Sequence, residues 1–232
     1  MLKRLAQEWF APSCVLCDAV SDTALSLCTP CQQDLPWIVH HCHYCGLPLE
    51  NRQSRACVNC EITKPIVDHT ICALHYSSPV DYLIKRMKFG KQLSHAKVLG
   101  VLLSQHLSQV DFDRVDAILP VPLHNSRLRS RGFNQSLELA REIKQKHHLP
   151  LLKGIKRVKN TAAQTLVKGD DRVANVKGAF SVSLKEPFPE HVAIIDDVVT
   201  TGATTNELAA QLKQSGVRKV SVWSIARATT HD

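Results

Sequence analysis

The sequence Val192-Ala193-Ile194-Ile195-Asp196-Asp197-Val198-Val199-Thr200-Thr201-Gly202-Ala203-Thr204-Thr205 joins a short apolar run to two adjacent carboxylates and a hydroxyl-rich turn with one glycine. An amphipathic helical pattern follows at residues 206–213, and Gly216 ends it. A strand, an acidic end, a turn and a helix in this order are typical of the edge of an open α/β sheet at which ligands bind. The stretch therefore predicts an α/β fold with a binding site at the end of this strand.

The turn predicts a phosphate-binding loop, which we call the phosphate loop and define by Thr200, Thr201, Gly202, Ala203 and Thr204. Main-chain N–H groups and a helix N-terminus favour an anion there, and a glycine lets the backbone approach the ligand. The preceding Asp196 and Asp197 can accept hydrogen bonds from vicinal sugar hydroxyls. The predicted ligand is a sugar phosphate. The alternative, a buried strand followed by a capped helix, is disfavoured because core strands rarely end in paired carboxylates.

The same stretch resembles the phosphoribosyl pyrophosphate signature of type I phosphoribosyltransferases. The resemblance implies a parallel sheet flanked by helices, in which Asp196 and Asp197 contact the ribose 2′- and 3′-hydroxyls and the phosphate loop binds the 5′-phosphate. In such a transfer Mg²⁺ bridges oxygens of the pyrophosphate and the ribose. Cationic side chains would stabilise the departing pyrophosphate, and the candidates are Lys88, Arg131 and Arg157.

Four Cys-x-x-Cys pairs occupy the N-terminal part of the chain and begin 14, 14 and 15 residues apart: Cys14/Cys17, Cys28/Cys31, Cys42/Cys45 and Cys57/Cys60. In a reducing compartment, repeated pairs of this kind favour zinc over disulfides. Zinc prefers four thiolates in a tetrahedron, so eight cysteines suit two structural sites with no position open for water. Cys72 lies outside the pattern.

The cysteine spacing leaves open which pairs share a metal. Sequential pairing, first with second and third with fourth, is favoured because it closes short loops and costs less chain entropy. A crossed arrangement would instead join the region into one unit. Redox-active thiols are the alternative to zinc, but nothing around these pairs resembles the βαβ setting of a thioredoxin motif.

Length and composition predict two domains of unequal size. The 232 residues, 44% of them hydrophobic, suffice for one sizeable domain and a small one. Residues 1–68 have few apolar runs and would depend on metal to fold, so we predict a zinc-binding domain there and the α/β domain at 69–232. Residues 1–11 contain charges and no long apolar run. Neither export nor membrane insertion is therefore expected, and we expect a cytoplasmic protein.

Charge is distributed unevenly along the chain. When Lys and Arg are counted as positive and Asp and Glu as negative, the net charge is −3 for residues 1–84, +12 for residues 85–177 and −1 for residues 178–232. The positive block surrounds the predicted phosphate site, and both pyrophosphate and a nucleic-acid backbone would be attracted to it.

Within the positive block, Arg127, Arg129 and Arg131 stand at every second position and predict an extended loop that faces an anion. Asn134 is expected to cap the helix that follows. A polar segment predicts a flap that carries phosphate contacts, and its residues are Arg157, Lys159, Thr161, Gln164, Arg172 and Asn175. Phe89 and Phe133 lie beside basic residues. They are interpreted either as core aromatics or as rings that stack on unpaired bases.

Motifs along nearly the whole chain resemble those of the ComF family (the GntX-like group) of competence-associated, phosphoribosyltransferase-like proteins. They comprise the Cys-x-x-Cys pairs, Lys85-Arg86-Met87-Lys88-Phe89, Pro120-Val121-Pro122, Arg131-Gly132-Phe133-Asn134-Gln135, the polar series from Arg157 to Asn175, and the sequence from Asp196 to Gly202. The resemblance implies a cytoplasmic protein that handles incoming single-stranded DNA during natural transformation, with proteins of the DNA-uptake machinery as further partners.

Two functions fit these features. In the first, which we favour, the chain is a DNA-handling module that retains a phosphoribosyl pyrophosphate site for binding or regulation. In the alternative, it is an active phosphoribosyltransferase that transfers phosphoribose to an unknown acceptor and releases pyrophosphate. The residues identify neither a general base nor an acceptor pocket, so the sequence does not decide between the two.

Overall fold

The structure is a computed structural model that describes residues 12–90, 92–160 and 171–229, although not the side chains of residues 171–173. The strands in chain order are β1 (His69–His75), β2 (Ala117–Pro120), β3 (Ile155–Arg157), β4 (Phe180–Val182), β5 (His191–Val199) and β6 (Lys219–Arg227). The helices are α1 (Thr29–Gln33), α2 (Val58–Ile62), α3 (Val80–Gly90), α4 (Leu93–Leu107), α5 (Asn125–Arg131), α6 (Gln135–His147), α7 (Asp171–Val176) and α8 (Ala203–Gln214).

Four parallel strands form the main sheet in the order β1-β6-β5-β2. In β5, Ala193 and Ile195 pack into one buried cluster with α3, α4 and α6, whereas Val192 and Ile194 pack into a second cluster with α8. This alternation follows from the two-residue period of a strand, and burial on both faces explains why residues 192–195 are all apolar. The predicted parallel sheet flanked by helices is confirmed.

The N-terminal region docks against the free edge of β1. Ile38 N donates to Ala73 O at 2.9 Å, and His75 N donates to Pro36 O at 2.9 Å. Leu27 and the cysteine residue Cys14 are buried in the same cluster as the core of the main sheet. The edge strand is therefore covered, which removes the unpaired row of main-chain groups that a free edge would present.

The prediction of an extended loop at Arg127–Arg131 is wrong, because these residues lie in α5. The side chain of His124 caps the helix by accepting a hydrogen bond from Ser126 N, and Gly132 ends it with a φ of 87° and an N–H that bonds to Leu128 O. Local capping therefore outweighs the alternation of charge. The predicted cap at Asn134 is confirmed, since its side chain accepts from the N–H groups of two residues of α6.

Several sequence predictions fall outside the described residues. They concern residues 1–11 and, in the predicted flap, Thr161 and Gln164, as well as the side chain of Arg172. Of the described flap residues, Arg157 is the last residue of β3, which pairs antiparallel with β4, and Asn175 lies in α7; neither element was predicted. None of the described helices combines the length and the apolar character that a membrane span requires.

Candidate functional site

A cavity of about 300 Å³ opens where β5 ends, and we call it the front cavity. The side chains on which its chemistry depends are Lys88, Arg127, Arg131, Arg157, Asp196 and Asp197. They come from α3, α5, β3 and β5, which are far apart in the sequence. Four cations therefore face two carboxylates, an excess of positive charge that favours a polyanionic ligand.

The two carboxylates differ in their surroundings. Asp197 is buried and forms an ion pair with Lys88, whose side chain is 22% exposed. Asp196 Oδ1 accepts hydrogen bonds from Ser136 Oγ at 3.3 Å and from Asp197 N at 2.9 Å. Burial and the adjacent charge of Asp197 raise the pKa of Asp196 to about 8. The pair therefore holds close to one negative charge at neutral pH.

The guanidinium groups of the front cavity are crowded together. Arg127 and Arg131 lie one helical turn apart on α5 and point to the same side. Burial lowers the pKa of Arg131 and of Arg157, and in each case the nearby charge of Arg127 lowers it further. Arg131 Nη1 also donates to Gln135 Oε1 at 2.5 Å. Because like charges meet in a partly buried space, an anion bound between them would relieve their repulsion.

The phosphate loop begins directly after β5 and ends in the first turn of α8. Gly202 adopts a left-handed conformation with a φ of 75°, which favours glycine at this position. Thr200 and Thr204 line the front cavity. Thr201 and Gly202 instead line a second cavity of about 380 Å³, which Cys45, Cys57 and Cys60 also line and which we call the rear cavity. Ala203 lines neither cavity.

Seven of the ten predicted ligand contacts therefore meet in the front cavity: Lys88, Arg131, Arg157, Asp196, Asp197, Thr200 and Thr204. Arg127 lies there as well; the sequence placed it in a loop facing an anion but not among the ten predicted contacts. Its position four residues before Arg131 would have indicated it, had the helix been recognised. Arg227, which lines the rear cavity, was also missed; a lone arginine after the mostly apolar residues 220–226 is the signal that could have revealed it.

The cysteines form two clusters in sequential order. Cys14, Cys17, Cys28 and Cys31 make the first cluster, Cys42, Cys45, Cys57 and Cys60 make the second, and the sulfurs within each lie within 4.8 Å of one another. The Sγ atoms of Cys17 and Cys28 are 3.7 Å apart, as are those of Cys45 and Cys57. A tetrahedral site with Zn–S bonds of about 2.3 Å requires sulfurs roughly 3.8 Å apart. Both clusters fit zinc, and four thiolates leave no position for water.

The fold and these sites define an α/β protein that carries two four-cysteine zinc-binding sites and a cation-lined cavity at its phosphate loop. The double zinc ribbon domain family matches residues 5–73. Competence protein F of Haemophilus influenzae is 37% identical over 87% of this chain and 90% of that protein. The DNA utilization protein YhgH of Salmonella typhimurium is 32% identical over 87% of this chain and 90% of that protein. Competence protein ComFC of Bacillus subtilis is 26% identical over 93% of this chain and 95% of that protein.

The chain belongs to the ComF family, and the resemblance identified from its motifs is confirmed. Among solved structures, a glutamine phosphoribosylpyrophosphate (PRPP) amidotransferase from B. subtilis, complexed with ADP and GMP, is similar with a TM-score of 0.36 and 19% sequence identity. That similarity covers 55% of this chain and 25% of the amidotransferase.

Proposed function

We propose that this chain binds phosphoribosyl pyrophosphate with Mg²⁺ in the front cavity and acts in the cytoplasm on DNA taken up during competence. The observation that carries the proposal is the meeting of four cations with a carboxylate pair at the phosphate loop. A ligand that combines sugar hydroxyls with several phosphoryl groups satisfies both kinds of side chain.

In this assignment, Asp196 and Asp197 bind the ribose hydroxyls and the phosphate loop (Thr200, Thr201, Gly202, Ala203 and Thr204) binds the 5′-phosphate. Lys88, Arg131 and Arg157 bind the pyrophosphate. The donor set also suits Mg²⁺, which prefers carboxylate and phosphate oxygens. Bound there, Mg²⁺ would neutralise part of the charge of the pyrophosphate. Lys88 would leave Asp197 and turn towards the anion.

Calorimetry on the double variant Asp196→Asn with Asp197→Asn tests the assignment. We expect binding of phosphoribosyl pyrophosphate with Mg²⁺ to be abolished, because the amides cannot balance a metal and accept fewer hydrogen bonds. The matched control is Asp113→Asn with Glu190→Gln, which removes two carboxylates outside the front cavity and should leave the affinity unchanged. Unchanged affinity in the double aspartate variant would refute the proposal.

A role in DNA handling is supported by the names of the relatives, competence protein F and DNA utilization protein YhgH. It is also supported by one surface of α3. Phe89 is 74% exposed and Tyr82 is 45% exposed, and the guanidinium groups of Arg131 and Arg86 lie 6.0 and 5.9 Å from their respective ring centroids. Exposed rings beside cations suit the stacking of unpaired bases. Phe133, in contrast, packs against the core.

We therefore propose single-stranded DNA as a partner and expect proteins of the uptake machinery to deliver it. Fluorescence anisotropy with a labelled oligonucleotide tests the first partner, and binding should weaken steeply as salt rises. Phe89→Ala should weaken binding about tenfold. Phe188→Ala changes a partly exposed ring at the opposite end of β5 and should not alter binding. A flat salt response, or equal affinity of all three proteins, would exclude this surface as a DNA site.

Active phosphoribosyl transfer is the second candidate. It is favoured by the position of the cations, since Lys88, Arg131 and Arg157 could stabilise a departing pyrophosphate as well as a bound one. Release of pyrophosphate, measured over a panel of acceptors, distinguishes the two candidates. Pyrophosphate release that requires Asp196 and Asp197 would establish a phosphoribosyltransferase. Binding of phosphoribosyl pyrophosphate without its cleavage would support the DNA-handling module.

The cysteine clusters have a structural role in this proposal. We propose that residues 1–68 form a zinc-binding domain that holds two zinc ions, and that residues 69–232 form the ligand-binding domain. Soft thiolates with no open coordination position suit a structural metal. Metal analysis of the purified chain should give two zinc ions per molecule, and a clearly lower content would contradict two filled sites.

A further inference from the structure

Arg227 is the last residue of β6, and only 7% of its surface is exposed. A buried cation normally pairs with a carboxylate, yet within the described ranges the guanidinium of Arg227 bonds only to main-chain oxygens. Its acceptors are the carbonyl oxygens of Cys45, Val199, Thr200 and Ala228. Arg227 therefore has no carboxylate partner among the described residues and holds together segments that are distant in the sequence.

Two of these acceptors are the last residue of β5 and the first residue of the phosphate loop. Arg227 Nη1 donates to Val199 O at 3.1 Å and to Thr200 O at 2.5 Å. The C=O and N–H groups of a planar trans peptide point in opposite directions. Carbonyls that are drawn towards Arg227 therefore turn the N–H groups of Thr200 and Thr201 away from it. Neither N–H group donates to another residue in the part of the chain that the structure describes, so both are available to an anion.

The other end of the guanidinium reaches the second cysteine cluster. Arg227 Nε donates to Cys45 O at 2.9 Å. The turn around Cys45 is itself firmly held, because Thr70 Oγ1 donates to Tyr44 O at 2.7 Å and a Cβ at Gly46 would lie 2.8 Å from Cys72 Sγ. Arg227 thus connects a rigid turn of the second cluster to the backbone of the phosphate loop.

We propose that Arg227 is a positioning residue that uses the second four-cysteine site as a support and holds the amides of the phosphate loop towards the 5′-phosphate. This inference rests on the binding of phosphoribosyl pyrophosphate proposed above. Arginine is required because its planar fork reaches separate carbonyl groups at once, whereas the ammonium of lysine is a single point of charge on a flexible stem. The fixed positive charge beneath the loop adds to the attraction for the phosphate.

Calorimetry with phosphoribosyl pyrophosphate and Mg²⁺ tests the role of Arg227. We expect Arg227→Lys and Arg227→Met to weaken binding at least tenfold, with no rescue by lysine. The matched control is Lys219→Met, at the opposite end of β6, which breaks the ion pair with Asp113 without reaching the phosphate loop and should change the affinity less than twofold. Zinc content is measured in parallel. Wild-type affinity in Arg227→Lys would overturn the proposal.

A second measurement on the wild-type chain decides the matter even if the variants fail to fold or lose zinc. The amide of Gly46 shares a peptide unit with Cys45 O, so its NMR resonance reports on the hydrogen bond from Arg227. Addition of phosphoribosyl pyrophosphate with Mg²⁺ should shift the resonances of Gly46 N–H and Arg227 Nε–H together with those of Thr200 and Thr201. Shifts confined to the phosphate loop would refute the role of Arg227 but not the proposed binding of phosphoribosyl pyrophosphate. A wild-type chain that gives neither heat nor shifts would refute the proposed function as well.

Discussion

Lys88 on α3 forms an ion pair with Asp197 on β5, so a residue proposed to bind pyrophosphate touches a residue proposed to bind ribose. The pair neutralises the charge of Asp197 without a ligand, and Asp196 keeps its proton at neutral pH, so the front cavity retains its excess of positive charge. Ligand binding would then exchange partners, with Lys88 turning to an anion and the carboxylates to a cation or sugar hydroxyls.

Removal of Lys88 should expose the cost of the buried carboxylate. Lys88→Met leaves Asp197 without its cation, and we expect the free energy of unfolding to fall by about 1–3 kcal/mol in Mg²⁺-free buffer. Addition of Mg²⁺ should recover part of the loss. The control is Lys85→Met, which breaks only the exposed pair with Asp81 and should have no measurable effect. Denaturant unfolding measures all three proteins, and equal stability of Lys88→Met and wild type would contradict the expectation.

The helical conformation of α5 makes a distinct prediction for its arginines. Arg131→Gln removes a charge that lines the front cavity and should raise the Kd for phosphoribosyl pyrophosphate about 10- to 100-fold, the usual effect of losing a charge-assisted hydrogen bond. Arg129→Gln removes an exposed charge outside the cavity and should change the Kd less than twofold. Calorimetry compares the two variants. An equal rise in Kd for both variants would contradict the helix and would indicate an extended loop in which both side chains face the ligand.

The site could be predicted in part because its central segment is local in sequence. A strand, two carboxylates, a turn with Gly202 and a helix lie within one continuous stretch, and each part has its own signal. The parallel sheet follows from such units, since ligands bind where their strands end. The two cysteine sites were likewise indicated by the spacing of the Cys-x-x-Cys pairs.

The remaining features of the fold and the site depend on tertiary contacts, which the spacing of residues in the sequence does not reveal. The caps at His124 and Gly132 turn Arg127–Arg131 into a helix, so alternate residues no longer share a side. The segment His69–His75 begins and ends with a polar residue, and it becomes a buried strand only because it pairs with β6. The partner of Arg227 is a carbonyl 182 residues away along the chain. Tertiary contacts of this kind override local preference.

The pKa of Asp196 predicts how stability changes with pH. The pKa is about 8 in the folded protein and about 4 in the unfolded chain. Between these values the folded state holds a proton that the unfolded state has released, so stability falls as pH rises from about 4 to 8. Asp196→Asn should remove this component. Denaturant unfolding at several pH values measures it, and identical pH dependence in the two proteins would contradict the raised pKa.

The same proton should be released on binding. At pH 7, Mg²⁺ and phosphoribosyl pyrophosphate would favour the ionised form of Asp196, because a nearby opposite charge lowers the pKa of a carboxyl group. Binding heats measured in buffers of different ionisation enthalpy should therefore show close to one proton released at pH 7 and little at pH 9. Release that is independent of pH would exclude Asp196 as its source.

The sequential arrangement of the cysteine clusters is tested by two double variants. Cys17→Ser with Cys31→Ser removes two ligands of the first cluster, so one zinc ion per chain should remain. Cys17→Ser with Cys45→Ser removes one ligand from each cluster and should weaken the binding of both ions. Native mass spectrometry, after challenge with a chelator, counts the retained zinc. A crossed pairing of the first motif with the third would reverse the two results, because Cys17 and Cys45 would then share one metal.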